Sequence, residues 1–213
     1  MIVTTCHTCS ESKTRKMTSS CISTGAKKPQ VIFVFSGKRK TGKDFITDLL
    51  RNRLKDERCA ILRLSGPLKE QYAKDRDLDF QKLLDASSYK EKYRADMIVW
   101  GEEKRKQDPG YFCRLATSGK GSEKPVWIIS DARRKTDVDY FREHYPKETV
   151  TVRITADLAV REKRDFVFTA GIDDAESECG LDEGVEWDEI IKNNGGQSDL
   201  DQHLDKLVQK WCS

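Results

Sequence analysis

The chain lacks the features that would commit it to a membrane, a disulfide scaffold or a polyanion. No apolar run approaches the roughly 18 residues of a membrane-spanning helix, and the polar amino terminus has no apolar stretch of the secretory-signal kind. Net charge is almost absent: 39 Lys and Arg stand against 36 Asp and Glu, leaving +3. Bulk electrostatics therefore gives no case for nucleic acid or a membrane surface, and any taste for anions has to be local. The seven cysteines are odd in number and irregular in spacing, which argues against a disulfide framework and for a reducing compartment. Cys6-His-Thr-Cys9 has the spacing of half a metal site, but no second Cys or His pair follows at finger-like distance, so an accident of sequence is expected.

What remains is an ordinary globular composition of 213 residues, 37% hydrophobic and 35% charged, enough for one core with a small appended region. Residues 1–30 are rich in Ser, Thr and Lys and are expected to form a disordered extension. Residues 31–213 are expected to form a single domain without internal repeats. Val31–Phe35, Cys59–Leu64, Val126–Ile129, Val150–Ile154 and Trp187–Ile191 have the apolar or β-branched content of strands, the third covered on both faces. Helical spacing marks 45–54, 67–84, 89–106, 137–144, 156–166 and 200–211. Strands alternating with helices give an α/β fold with a central parallel sheet of about five strands. The strandless stretch of about 67–116 is expected to hold a second substrate, and 157–176 to supply a lid. Residues 169–184, acidic and poorly periodic, are expected to be a mobile or surface segment.

The strongest signal follows the first strand. Val31–Phe35 stops at Ser36-Gly37 and passes through Lys38-Arg39-Lys40-Thr41 to Gly42-Lys43-Asp44, where a helix begins. Glycines that permit close approach, inward-turned N–H groups and a helix N-terminus make a phosphate cradle, so Gly37 to Lys43 is expected to bind a nucleoside triphosphate. Lys43 would reach the β and γ phosphates. The usual Ser or Thr after that lysine, a ligand of Mg²⁺, is replaced by Asp44. Asp44 is a candidate second carboxylate near the metal, a base, or a positioning group for the acceptor. Asp131, after the third strand, stands where a parallel sheet places its ligand contacts and can hold Mg²⁺; the alternative is an ordinary helix cap. The cations Lys69, Lys90, Arg94, Arg105, Arg114, Arg133, Arg134, Arg153, Arg161 and Arg164 lie at strand ends or on helices facing the expected cleft. Together they suit a doubly anionic second substrate. A phosphate acceptor, with its second pKa near 6, is already an oxyanion at neutral pH and needs no strong base.

The segments Phe35–Phe45, Leu62–Tyr72, Trp100–Arg105, Asp108–Arg114, Ser130–Arg134 and Gly171–Asp182 resemble those of the animal phosphomevalonate kinases, in the same order and including the unusual Asp44. The likeness runs from about Val31 to the carboxyl end. It implies a P-loop three-layer fold like that of nucleoside monophosphate kinases, with a helical acceptor-binding insertion and a lid. It also implies transfer of the γ-phosphoryl of ATP to 5-phosphomevalonate in isoprenoid and sterol synthesis, with Mg²⁺. On that likeness Lys38, Arg39, Lys40, Lys43 and Asp44 form the ATP and catalytic loop. Lys69, Lys90, Arg94, Arg105, Arg114, Arg133 and Arg134 face the acceptor or the transferring phosphates. Arg161 and Arg164 come from the lid, with Arg164 on the acceptor, and Asn193 lies by the nucleotide base. Ala170 stands in place of a familiar proline, and His203 in place of a glutamine that helps hold adenine. The expected partners are small molecules only, the expected state is a monomer, and cytosol is preferred to peroxisome because Trp211-Cys-Ser213 is not a peroxisomal address. A nucleoside monophosphate kinase and a non-catalytic nucleotide-binding adaptor are the alternatives.

Overall fold

A computed structural model describes residues 28–84 and 88–212, except the side chain of Lys90. The expected extension and the Cys6–Cys9 pair fall almost wholly or wholly outside that range. Five strands, β1 (Val31–Ser36), β2 (Cys59–Leu62), β3 (Val126–Ile129), β4 (Thr149–Thr155) and β5 (Glu189–Lys192), form one parallel sheet in the order β2-β3-β1-β4-β5. β1 lies in the middle, and its residues Ile32 to Phe35 are wholly buried. Its alternate side chains feed two cores. Phe33 and Phe35 pack with Ile46 and Leu50 of α1 (Lys43–Leu54) and with Leu204 and Leu207 of α9 (Gln197–Trp211). Ile32 and Val34 pack with Cys113 and Ala116 of α5 (Tyr111–Thr117) and with Val138 and Phe141 of α6 (Lys135–His144). Each large side chain so buried contributes about 1.5–3 kcal/mol of transfer free energy. This is the expected three-layer α/β arrangement.

The order of strands fixes where a ligand goes. The chain leaves β1 into α1 on one face of the sheet and leaves the neighbouring β3 toward α6 on the other. The two connections diverge, and the crevice between their carboxyl ends is where open parallel sheets bind ligands.

Between β2 and β3 lies a helical region with a core of its own. α2 (Ser65–Asp75), α3 (Phe80–Leu84), α4 (Ser88–Gln107) and α5 bring together Tyr72, Leu83, Met97, Trp100 and Phe112. The single helix expected over 67–84 is two. Asp77 takes a left-handed φ of 52°, which ends α2, and the Asp79 carboxylate accepts the N–H of Gln81 at 2.9 Å to start α3. β2 stops at Leu62, short of the expected Leu64, because the Leu64 N–H is taken by the Asp131 side chain. β5 begins at Glu189 rather than Trp187, since Asp188 meets β4 through its side chain, accepting from the N–H and hydroxyl of Thr151. The helix expected over 156–166 shrinks to α7 (Leu158–Glu162), and Asp165 has a φ of 60°.

The acidic stretch differs most from expectation. It contains a short helix, α8 (Glu176–Cys179), and Asp173 and Glu178 within it are buried. The physical reason is the set of cations it faces.

Candidate active site

The loop after β1 is shaped by its two glycines. A Cβ on Gly37 would meet the Ile154 carbonyl and the Thr41 hydroxyl, both at 2.9 Å. One on Gly42, whose φ is 86°, would meet the Asn193 side chain at 2.4 Å. Inside the loop Thr41 is buried, its hydroxyl donating to the Lys38 carbonyl at 2.8 Å. The Asn193 amide donates to the Thr41 carbonyl at 2.8 Å, tying the loop to the end of β5.

Lys43, the first residue of α1, points across the crevice. Its ammonium donates to the Ser130 carbonyl at the end of β3, at 2.5 Å, and to Asp44 Oδ1 at 2.7 Å. Its side chain is 11% exposed, whereas that of Asp44 is 71% exposed. Burial alone would raise the Asp44 carboxyl, but the hydrogen bond and charge of Lys43, with the charges of Arg63 and Arg133, outweigh it and hold the group below its ordinary value. Asp131 is occupied otherwise. Its two oxygens accept the N–H groups of Leu64 and Ser65, at 2.7 and 3.0 Å, so it serves as the cap of α2.

A cavity of about 510 Å³ opens beside this crevice, walled by α2, α4, the β3–α6 turn and residues 171–177. Lys69, Arg94, Arg105, Arg133 and Arg134 all line it, together with Met97, Ile98 and Ile172. Arg105 lies over the Phe112 ring at 4.6 Å and shares Glu102 with Arg134. The Nε groups of Arg105 and Arg134 are buried without an acceptor among the described residues. Burial and the charge of Arg134 push the Arg105 guanidinium down, against the pull of Asp137 and Glu102. The buried Asp137 carboxylate accepts the N–H groups of Arg133 and Arg134, at 3.0 and 3.1 Å, and so sets the turn that aims both side chains.

Other expected contacts are placed elsewhere. Arg114 pairs with Asp108 and does not line the cavity. Arg164 donates to the carbonyls of Thr41 and Asn193, both at 3.1 Å, so it lies against the loop after β1 and does not line the cavity. Arg161 donates to the Arg39 carbonyl at 2.8 Å and stacks on Phe166. The side chain of Lys90 lies outside the described residues. His203 lines a separate hollow of about 200 Å³ with Lys192 and Lys206.

Three carboxylates that sequence patterns missed complete the site. Asp173 pairs with Arg39 at 2.7 Å, Asp182 with Lys38 at 2.5 Å and with Arg153 at 2.6 Å, and Glu178 with Arg133. Arg63, exposed after β2 and near enough to Asp44 to lower its carboxyl, was also missed. Its position at the carboxyl end of a parallel strand was the available signal.

A phosphate loop at the switch point of a parallel sheet, with its lysine crossing to the neighbouring strand, defines a P-loop kinase-type fold. The Mycobacterium tuberculosis APS kinase, solved in complex with AMPPNP and APS, shares it, with a TM-score of 0.51 over 88% of this chain and all of that one, at 13% identity. The phosphomevalonate kinase family model matches residues 35–147. A curated phosphomevalonate kinase of Drosophila melanogaster is 44% identical over 186 residues, covering 84% of this chain and 98% of the relative. The chain belongs to the phosphomevalonate kinase family.

Proposed function

We propose that the chain transfers the γ-phosphoryl of ATP to 5-phosphomevalonate, giving 5-diphosphomevalonate and ADP. The observation that carries this reading is the cavity of five cations opening beside the phosphate loop, within a chain of this family. Such a cavity suits an acceptor with two anionic ends, phosphate and carboxylate, and its Met97, Ile98 and Ile172 suit a short carbon backbone between them.

The chemistry asks for positioning and charge rather than a strong base. The acceptor phosphate carries its nucleophilic oxygen already ionised. Lys43, held at the mouth of the crevice, would follow the γ-phosphoryl and offset charge as it moves, while Arg133 and Arg134 hold the acceptor oxygens in line. Lys38, Arg39 and Lys40 would face the triphosphate, with Arg161 and Arg164 closing over the loop and Asn193 backing it. A lid that excludes water prevents loss of the phosphoryl by hydrolysis.

A magnesium ion fits the donors present in one way. Among the described residues no cluster of three or more His, Cys, Asp or Glu stands ready for a metal. Asp44 offers an exposed carboxylate with one oxygen on Lys43, and Mg²⁺ is commonly held by one or two carboxylates plus substrate phosphates and water. Asp44 would therefore hold it, with substrate phosphates and water, while the expected second carboxylate, Asp131, spends both oxygens on capping α2. The bound ion would neutralise charge on the β and γ oxygens.

No helix among the described residues is long and apolar enough to cross a membrane. We place the enzyme in the cytosol as a monomer acting on small molecules. A coupled ADP-release assay decides the acceptor: 5-phosphomevalonate should give turnover, and AMP, UMP and GMP little. The reverse outcome would assign the nucleoside monophosphate kinase reading, and no turnover with any acceptor the adaptor reading.

A further inference from the structure

One buried carboxylate remains without a role in that reaction. The Glu178 side chain is 5% exposed, and both of its oxygens are committed. Oε2 accepts the backbone N–H of Arg39 at 3.0 Å, and Oε1 pairs with the Arg133 guanidinium. Desolvating a carboxylate costs several kcal/mol, so one persists in such a place only where its lone pairs are matched by good donors. Here the donors come from different strands: Arg39 from the loop after β1, Arg133 from the turn after β3. Glu178 spans the crevice between them.

Its surroundings make it a strut. The Glu178 N–H bonds the Ala175 carbonyl at 2.9 Å, which closes the turn of α8. Asp173, five residues earlier, takes the Arg39 guanidinium at 2.7 Å and the Thr169 N–H at 2.8 Å. On the far side, Asp137 holds the Arg133 backbone N–H at 3.0 Å. Arg133 is thus fixed at both ends, with NH1 taken by Glu178 and by the Ser177 carbonyl at 3.2 Å. A guanidinium has five donors in a rigid fork, and the rest of the fork is left for a ligand.

We propose that Glu178 is a positioning residue for the phosphoryl transfer: it locks the phosphate loop at Arg39 and the acceptor-facing Arg133 into one frame. The inference rests on the kinase activity proposed above. A carboxylate that merely stood in for a phosphate, to be displaced by substrate, would behave oppositely, because its removal would tighten binding.

The test uses the full-length chain with ATP and 5-phosphomevalonate. Glu178→Gln can satisfy one partner but turns an amide N–H₂ toward the other, and should lower kcat by about 10- to 100-fold. The affinity for AMPPNP, measured by calorimetry, should stay within about threefold. In an Arg133→Met background the same change should cost less than about threefold, since the partner it aims is gone. A loss of packing alone would cost the same in both backgrounds, and that additivity would overturn the proposal. So would unchanged kcat, or tighter binding of either substrate. Should Glu178→Gln not fold, Glu178→Asp keeps the charge but is one methylene too short to span both partners; full activity in that variant overturns the proposal. A wild-type chain that does not turn over 5-phosphomevalonate defeats the kinase reading itself, and this proposal with it, whereas an active wild type with an indifferent Glu178 defeats the strut alone.

Discussion

The two walls of the cleft hold their cations by different means. On the phosphate-loop side, Lys38, Arg39, Arg133 and Arg153 all pair with carboxylates of one short segment, Asp173 to Asp182. On the helical side, Arg94 pairs with Glu91 of its own helix at i,i+3, and Arg105 and Arg134 share Glu102. Loop-side partners lie up to 144 residues apart in sequence, the span from Lys38 to Asp182, and lock strand ends together. Helical-side partners belong mainly to α4, a helix packed on a core separate from those flanking the sheet. On the function proposed above, the first would serve as a fixed frame that defines where phosphoryl leaves and the second as an adaptable wall that admits an acceptor.

Substitution separates the two walls. Lys43→Met removes the cation that crosses the crevice, and should lower kcat by about 10³-fold or more with the fold intact by circular dichroism. Equal activity would mean that the crevice is not the reacting centre. Arg134→Met, on the adaptable wall, should raise the acceptor KM by about 10- to 100-fold and leave ATP affinity within about threefold; an effect confined to ATP would move Arg134 to the fixed frame. Arg94→Ala removes an exposed cation whose helix pair is worth only about 0.3–0.5 kcal/mol, and should raise the acceptor KM by less than about tenfold with no shift in melting. The smallest effect concerns Asp44. Because its carboxyl is held below the ordinary value, its ionised form is complete at neutral pH and is lost only as pH falls through that lowered value. The acid limb of kcat/KM should therefore follow the acceptor phosphate, near pH 6. It should stay in place in whatever activity Asp44→Asn retains; a limb that moves in this variant would make Asp44 the titrating group.

The sequence was most legible where local chemistry dictates local shape. An apolar run ending in glycine and followed by Gly-Lys leaves few options, and Lys43 stands at the start of α1 where that pattern puts it. The unbroken apolar run Val126–Ile129 likewise announces a strand covered on both faces, and all four residues of β3 are buried. Legibility failed where the decisive partner is far away. Asp131 sits where a metal ligand would, yet nothing nearby in the chain shows that the N–H groups of Leu64 and Ser65 claim its oxygens. Residues 173–182 look like solvated surface because apolar periodicity is blind to carboxylates buried against arginines more than a hundred positions away. The break at Asp77 was hidden for another reason: helical spacing records faces, not the single backbone dihedral that ends a turn.

Lys40 shows what the phosphate loop exchanges for its charge. Its backbone adopts a φ of 63°, a conformation that costs a side-chain-bearing residue about 1–2 kcal/mol and glycine almost nothing. Glycine there would give a sturdier molecule. The chain instead keeps a lysine with an exposed side chain, which among the described residues has no carboxylate partner within ion-pair distance. On the function proposed above, durability of the resting protein and readiness to meet a polyphosphate would be set against each other at this one residue.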